Sequence, residues 1–129
     1  MERIKSKSDK RLIIEVLIND KKAYFLIDTG ASVGLIDKNQ KKKYDLAIGK
    51  KFNGSLVGAG GEIDDVRYCN TLINFSGKVI SQFLVSDIDS VVKSIKRETG
   101  IEILGIIGLP QMKWAGLGID ANDNEIIVE

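Results

Sequence analysis

Short runs of β-branched and aliphatic residues, each ended by a polar or glycine-containing turn, recur along this 129-residue chain and restrict it to a β-rich fold. Residues 12–18 and 23–27 are two such runs around Asn19-Asp20-Lys21, the pattern of a hairpin. Residues 51–57 and 62–69 flank Gly58-Ala59-Gly60-Gly61, a tip rich in glycine that can take positive φ and bend freely. Residues 71–75 and 79–85 predict a further hairpin around Ser76-Gly77-Lys78, and residues 101–107, 117–119 and 125–128 are apolar runs nearer the end.

Helical signals are few and short. Asp37 can cap a short helix with Gln40 three residues on, and Pro110 can open another that runs through Trp114. Ile88, Val91, Val92 and Ile95 fall at i, i+3, i+4 and i+7, which predicts a helix over residues 87–98. The sum is a mainly β barrel or sandwich with two or three short helices. Residues 1–10 are expected to form a flexible, solvated arm, and residues 11–129 a single domain.

Composition removes several kinds of chemistry. The chain has no His, which excludes Ser-His and Cys-His nucleophilic catalysis and most catalytic zinc sites. Cys69 is the single cysteine, so no intramolecular disulfide can form, and its apolar strand suits a small buried hydrophobe. Nineteen basic and eighteen acidic residues leave a charge of +1, against a dedicated nucleic-acid partner. The lysines at 41–43 then read as a solvated helix face. The charged start MERIKSKSDKR carries no apolar leader segment, and no run is long enough to span a bilayer; a cytoplasmic protein is expected.

The loop after the second strand concentrates the chemistry. Leu26-Ile27-Asp28-Thr29-Gly30-Ala31-Ser32 places a carboxylate and small residues directly after a buried run. This segment resembles the active-site motif of the retropepsin-like aspartic proteases. Two more features keep the family's order: the glycine-rich tip Gly58, Ala59, Gly60 and Gly61 where the family has its flap, and Ile106-Ile107-Gly108 before its short C-terminal helix. The resemblance runs from residue 12 to residue 128. It implies a closed or partly open acid-protease barrel with a flap hairpin, an aspartic endopeptidase without cofactor or metal, and an extended peptide or protein as substrate.

Hydrolysing an amide without a metal or covalent nucleophile requires one group to take a proton from water and another to protonate the leaving nitrogen. Two carboxylates about 3 Å apart cannot both ionise easily, and sharing one proton lets them do both. The chain has one Asp-Thr-Gly, so the second Asp28 must come from a second copy across a two-fold axis. Gly30, lacking a Cβ, lets the backbone pass close to the partner carboxylate and donate its N–H there. The resemblance further implies that Thr29 clamps the opposite loop and that Ser32 hydrogen-bonds the outer oxygen of Asp28, while Ala31 keeps the loop small. Val57 and Ile63 would border the specificity pockets under the flap.

Plainer readings stand beside these. Asp28 could simply end a strand before a Thr-Gly turn, and the glycine tip could be an ordinary hairpin turn; it lacks the Lys-Ser/Thr that a phosphate loop requires. The same fold could serve as a catalytically weak peptide-binding or assembly module. Leu109-Pro110-Gln111 also stands where retroviral members carry an Arg and a polar residue that tie the helix to the active-site loop, so that tie must be missing or different. The C-terminal Ile126-Ile127-Val128 is the apolar candidate for a strand interleaved between subunits.

Overall fold

The computed structural model describes the backbone of residues 1–54, 56–58, 61–63 and 65–129, and side chains outside residues 55–64. Strands dominate, in the order β1 (Glu2–Lys5), β2 (Ile13–Ile18), β3 (Lys21–Asp28), β4 (Gly34–Asp37), β5 (Ile48–Lys51), β6 (Leu56–Gly58) and β7 (Gly61–Ile63). They continue as β8 (Arg67–Cys69), β9 (Ile73–Phe75), β10 (Lys78–Ile80), β11 (Phe83–Ser86), β12 (Gly105–Gly108), β13 (Leu117–Asp120) and β14 (Glu125–Val128). Among the described residues three helices interrupt them: α1 (Lys41–Tyr44), which follows a 3-10 turn at Lys38–Gln40, then α2 (Asp89–Thr99) and α3 (Leu109–Ala115). The architecture is the mainly β, curled half-barrel that the sequence predicts.

Nine strands form the main sheet in the order β10-β9-β2-β3-β12-β4-β11-β8-β5. The β2–β3 hairpin turns through Asn19 and Asp20, both at positive φ (50° and 64°), as a two-residue loop between twisted strands requires. At the centre, β12 runs parallel to β3 and antiparallel to β4, a crossing that sets Gly108 beside Asp28 and Ile106 beside both Leu26 and Leu35. A Cβ at Gly105 would stand 2.2 Å from the Leu35 carbonyl oxygen, so that crossing depends on glycine.

Each central strand is apolar on both faces, and two cores result. Ile27, Ile36, Ile107 and Phe25 face the main core, where Phe25 and Phe83 meet with ring centroids 5.4 Å apart. The opposite face carries Ile13, Leu26 and Ile106, and it is covered by Val92 and Ile95 of α2 and by Ile88, which caps that helix. The helix ends on Gly100 at φ 79°, a left-handed cap that side chains disfavour.

Several boundaries differ from those read in the sequence. The run 79–85 is split because Gln82 adopts φ 69°, ending β10 and starting β11 in another part of the sheet. Of the apolar run 101–107, residues 105–107 join β12; Ile103 and Leu104 are core residues just before it, and the Leu104 backbone already bonds Tyr24 and Asp37. Cys69 is half-buried rather than buried, packed against the main core, and burial raises its thiol pKa.

The largest correction concerns the N-terminus. Residues 1–10 are not a free arm: Glu2–Lys5 pairs antiparallel with Glu125–Val128, and β13 pairs with the other edge of β14. Arg3 fastens this three-stranded sheet by donating to Asp120 at 2.8 Å and Glu125 at 3.1 Å. Ser6 is buried; its hydroxyl donates to the Arg11 carbonyl at 2.8 Å and accepts the Ile13 N–H at 2.9 Å. The charged sequence hides this order, because a strand with one half-buried side chain, Ile4, leaves no alternation to read.

Candidate active site

Asp28 is the last residue of β3, where period-two alternation assigns it the face of Leu26 rather than that of Ile27. The strand therefore delivers the carboxylate to the side of the sheet that α2 covers, beyond the helix's apolar contacts. Asp28, Thr29 and Gly30 are all exposed. Gly30 donates its N–H to Asp28 Oδ1 at 3.0 Å, and Ala31 donates to the Asp28 carbonyl at 3.1 Å, so the loop curls around its own acid. Within the chain, then, the Gly30 N–H serves its own carboxylate.

The loop is braced from β12 and α3. A Cβ at Gly108 would lie 2.8 Å from the Ala31 carbonyl oxygen and 3.1 Å from Val33, so glycine is what lets the loop fold back onto β12. Leu109 donates its N–H to the Ala31 carbonyl at 3.0 Å. Gln111 is buried, accepts the Gly108 N–H at 3.0 Å and donates to the Gln82 carbonyl at 3.0 Å. The tie from helix to active-site loop that the sequence at 109–111 leaves open is thus made by the Leu109 backbone amide, while the Gln111 carboxamide joins α3 to Gly108 and to the turn at Gln82. Residue type gives no sign of it, since glutamine is mostly found exposed and Gln111 is buried.

Ser32 departs from its expected role. It is exposed, and among the described residues the Asp28 carboxylate receives a hydrogen bond from Gly30 but none from Ser32. Ile107 lies in the main core and Ile106 in the core beneath α2, both positioning β12 beside β3. At the predicted flap, β6 and β7 pair antiparallel with Gly58 opposite Gly61. Ala59 and Gly60 lie outside the described residues, as do the side chains of Val57 and Ile63.

Sequence reading missed the basic edge of the site. A cavity of about 300 Å³ opens beside Asp28, bordered by Lys10, Arg11, Leu12, Leu26 and Asn124. Arg11 grips Glu98, in the last turn of α2, through two bonds of 2.9 and 3.0 Å, and Lys10 donates to the Glu98 carbonyl at 3.1 Å. The Arg11–Glu98 side-chain bonds, and more weakly the charge of Glu98, lift the Arg11 guanidinium above its usual pKa; the nearby charge of Asp28 adds a smaller push. The same bonds hold Glu98 below the ordinary carboxylate range. Elsewhere, Asp120, Asp123 and Glu125 form an acidic trio among the described residues, but Asp120 and Glu125 already answer Arg3.

A curled β half-barrel with an exposed Asp-Thr-Gly loop at a strand end, braced by a hydrophobic-Gly strand and a short helix, defines a retropepsin-like fold. The sequence profile of the aspartyl protease family matches residues 14–110, and the chain belongs to that family. Its fold is similar to that of EIAV protease complexed with the inhibitor HBY-793, at a TM-score of 0.64 and 24% identity over 91% of this chain and 99% of that one. A retroviral protease-like domain of Ddi1 from Leishmania major is similar at a TM-score of 0.58 and 21% identity, covering 92% and 87% of the two chains. A retropepsin-like aspartic protease from Rickettsia conorii is similar at 0.59 and 20%, covering 98% and 88%. Among curated proteins, none matches this chain in sequence. No helix among the described residues is long and apolar enough to cross a membrane.

Proposed function

We propose that this chain is an aspartic endopeptidase whose site is completed by a second copy, two Asp28 carboxylates meeting on a two-fold axis. The observation that carries this reading is the solvent-open Asp28 carboxylate, held by Gly30 in a loop braced through Ala31 and Leu109. One such loop per chain supplies one carboxylate, and water activation by this chemistry needs two. With one shared proton, the ionised carboxylate accepts a proton from water as it attacks the peptide carbonyl. The protonated one donates toward the carbonyl oxygen, and the proton passes to the leaving nitrogen as the C–N bond breaks. The β6–β7 hairpin would close over an extended peptide and add main-chain hydrogen bonds.

The exposed, disengaged Ser32 favours a second reading, a peptide-binding or assembly module that cleaves weakly. Incubation with an unfolded casein, with and without a pepstatin-type inhibitor, separates the two. Inhibitor-sensitive cleavage supports the endopeptidase; no cleavage from acid to neutral pH leaves the module.

A further inference from the structure

The cavity beside Asp28 has an apolar floor, Leu12 and Leu26, and a cationic rim, Lys10 and Arg11. That rim is built rather than loose. Ser6 fixes the Arg11 carbonyl and the Ile13 N–H, Asn124 donates to the Ser8 carbonyl at 2.6 Å, and Glu98 holds both the Arg11 guanidinium and the Lys10 ammonium. Segment 6–11 is therefore pinned to β2, to the β13–β14 turn and to α2, so its two cations stand beside the carboxylate in a set geometry. Nothing in water activation by Asp28 requires them there.

Resting on the endopeptidase reading, we infer that this cavity is a side-chain subsite beside the scissile bond that prefers an acidic residue, Asp or Glu, with Lys10 and Arg11 determining that specificity. The short methylene stem of an acidic side chain would cover Leu12 and Leu26 while its carboxylate meets the rim. Its volume, about 300 Å³, suits one side chain rather than a larger ligand. The charges bear on the sign. Glu98 answers one of the two cations, and a dyad with one shared proton carries a single negative charge between two subunits, so the rim stays net positive. Lys10 and Arg11 are exposed, so the effect is modest and weakens with salt.

The test uses peptide pairs identical except for Glu or Gln at each position flanking the cleaved bond. At low salt the wild type is expected to show kcat/KM roughly fivefold higher for the Glu peptide at one position, the scale of a partly exposed charge-assisted contact. That ratio should shrink in high salt, fall toward one in Arg11→Met, and invert in favour of a Lys-containing peptide in Lys10→Glu. The same labelled peptides are bound to Asp28→Asn, where chemistry is off, and followed by fluorescence anisotropy. Tighter binding of the Glu peptide there, with no hydrolysis by the wild type, would keep the subsite and remove the endopeptidase. Equal hydrolysis and equal binding of every Glu/Gln pair would overturn the subsite and leave hydrolysis standing. No binding of either peptide would overturn both.

Discussion

Gln111 lies so close against Gly34 that a Cβ added at residue 34 would stand 2.1 Å from the Gln111 amide nitrogen. Gly34→Ala must therefore expel a carboxamide that satisfies the Gly108 N–H and the Gln82 carbonyl, and also press on Phe83. A loss of about 1–3 kcal/mol from overpacking is expected, with more if the carboxamide bonds break. Gln111→Ala alone should cost a similar amount by orphaning the buried Gly108 N–H and freeing the part-buried Gln82 carbonyl. The double variant should cost less than the sum, because Ala at 111 removes atoms that the new methyl would strike. Urea midpoints of the four proteins measure this; strict additivity would mean the two residues do not meet.

Asp28→Asn should fold normally and lose essentially all peptidase activity. The side chains are nearly isosteric and Gly30 can still donate to the amide oxygen, but an amide cannot take a proton from water. Residual turnover within tenfold of wild type, about 1.4 kcal/mol of barrier, would remove Asp28 from the chemistry.

Hydrolysis should have an acidic to near-neutral optimum and persist in chelators. The dyad needs one shared proton, so raising the pH until both carboxylates ionise switches it off. Loss of activity in EDTA, restored by zinc, would contradict the two-carboxylate chemistry.

The Arg11–Glu98 pair has a different pH signature. Glu98 has a lowered pKa in the folded chain, so its contribution is present above the ordinary value of about 4.3 and is lost as pH falls through the lowered one. Glu98→Gln should thus melt slightly below wild type at neutral pH, with the gap closing in acid below about pH 4. A gap constant across that range would assign the difference to packing instead of charge.

Specific activity should fall on dilution below the dimer dissociation constant, as sedimentation velocity and hydrolysis over one concentration series would record. Removing residues 125–129, however, should do more than separate the subunits. β14 is the middle strand of its sheet, with β1 on one edge and β13 on the other, so its loss strips both neighbours of their pairing within the same chain. The expected outcome is a lower melting temperature along with lost activity; an intact monomer that melts like the full chain would refute this.

Local chemistry made the central elements legible. Asp28-Thr29-Gly30, the apolar strand before it and Ile106-Ile107-Gly108 are short stretches whose residue types serve one purpose each, and they meet as a parallel pair in register. What could not be read depends on partners distant in sequence. Glu2–Lys5 becomes a strand because β14 has an edge to satisfy, not because of its own residues. Arg11 looks like any surface cation until Glu98, on another element, fixes it beside Asp28. Gln82 breaks a run of strand-forming residues by one left-handed turn, which nothing in its neighbours announces.

Pairing Glu2–Lys5 with Glu125–Val128 sets an order on events during synthesis. Glu2–Lys5 lacks this partner until residues 125–128 have left the exit tunnel, whereas the β2–β3 hairpin can form much earlier. A contact spanning nearly the whole chain closes late, since its loop entropy must be met before it is rewarded. Segment 6–11, and with it the cationic rim, is anchored to that closure through Asn124. A nascent chain would thus carry Asp28 for some time before its surroundings are assembled, a delay that would keep an endopeptidase silent while its own polypeptide is still unfolded and cleavable.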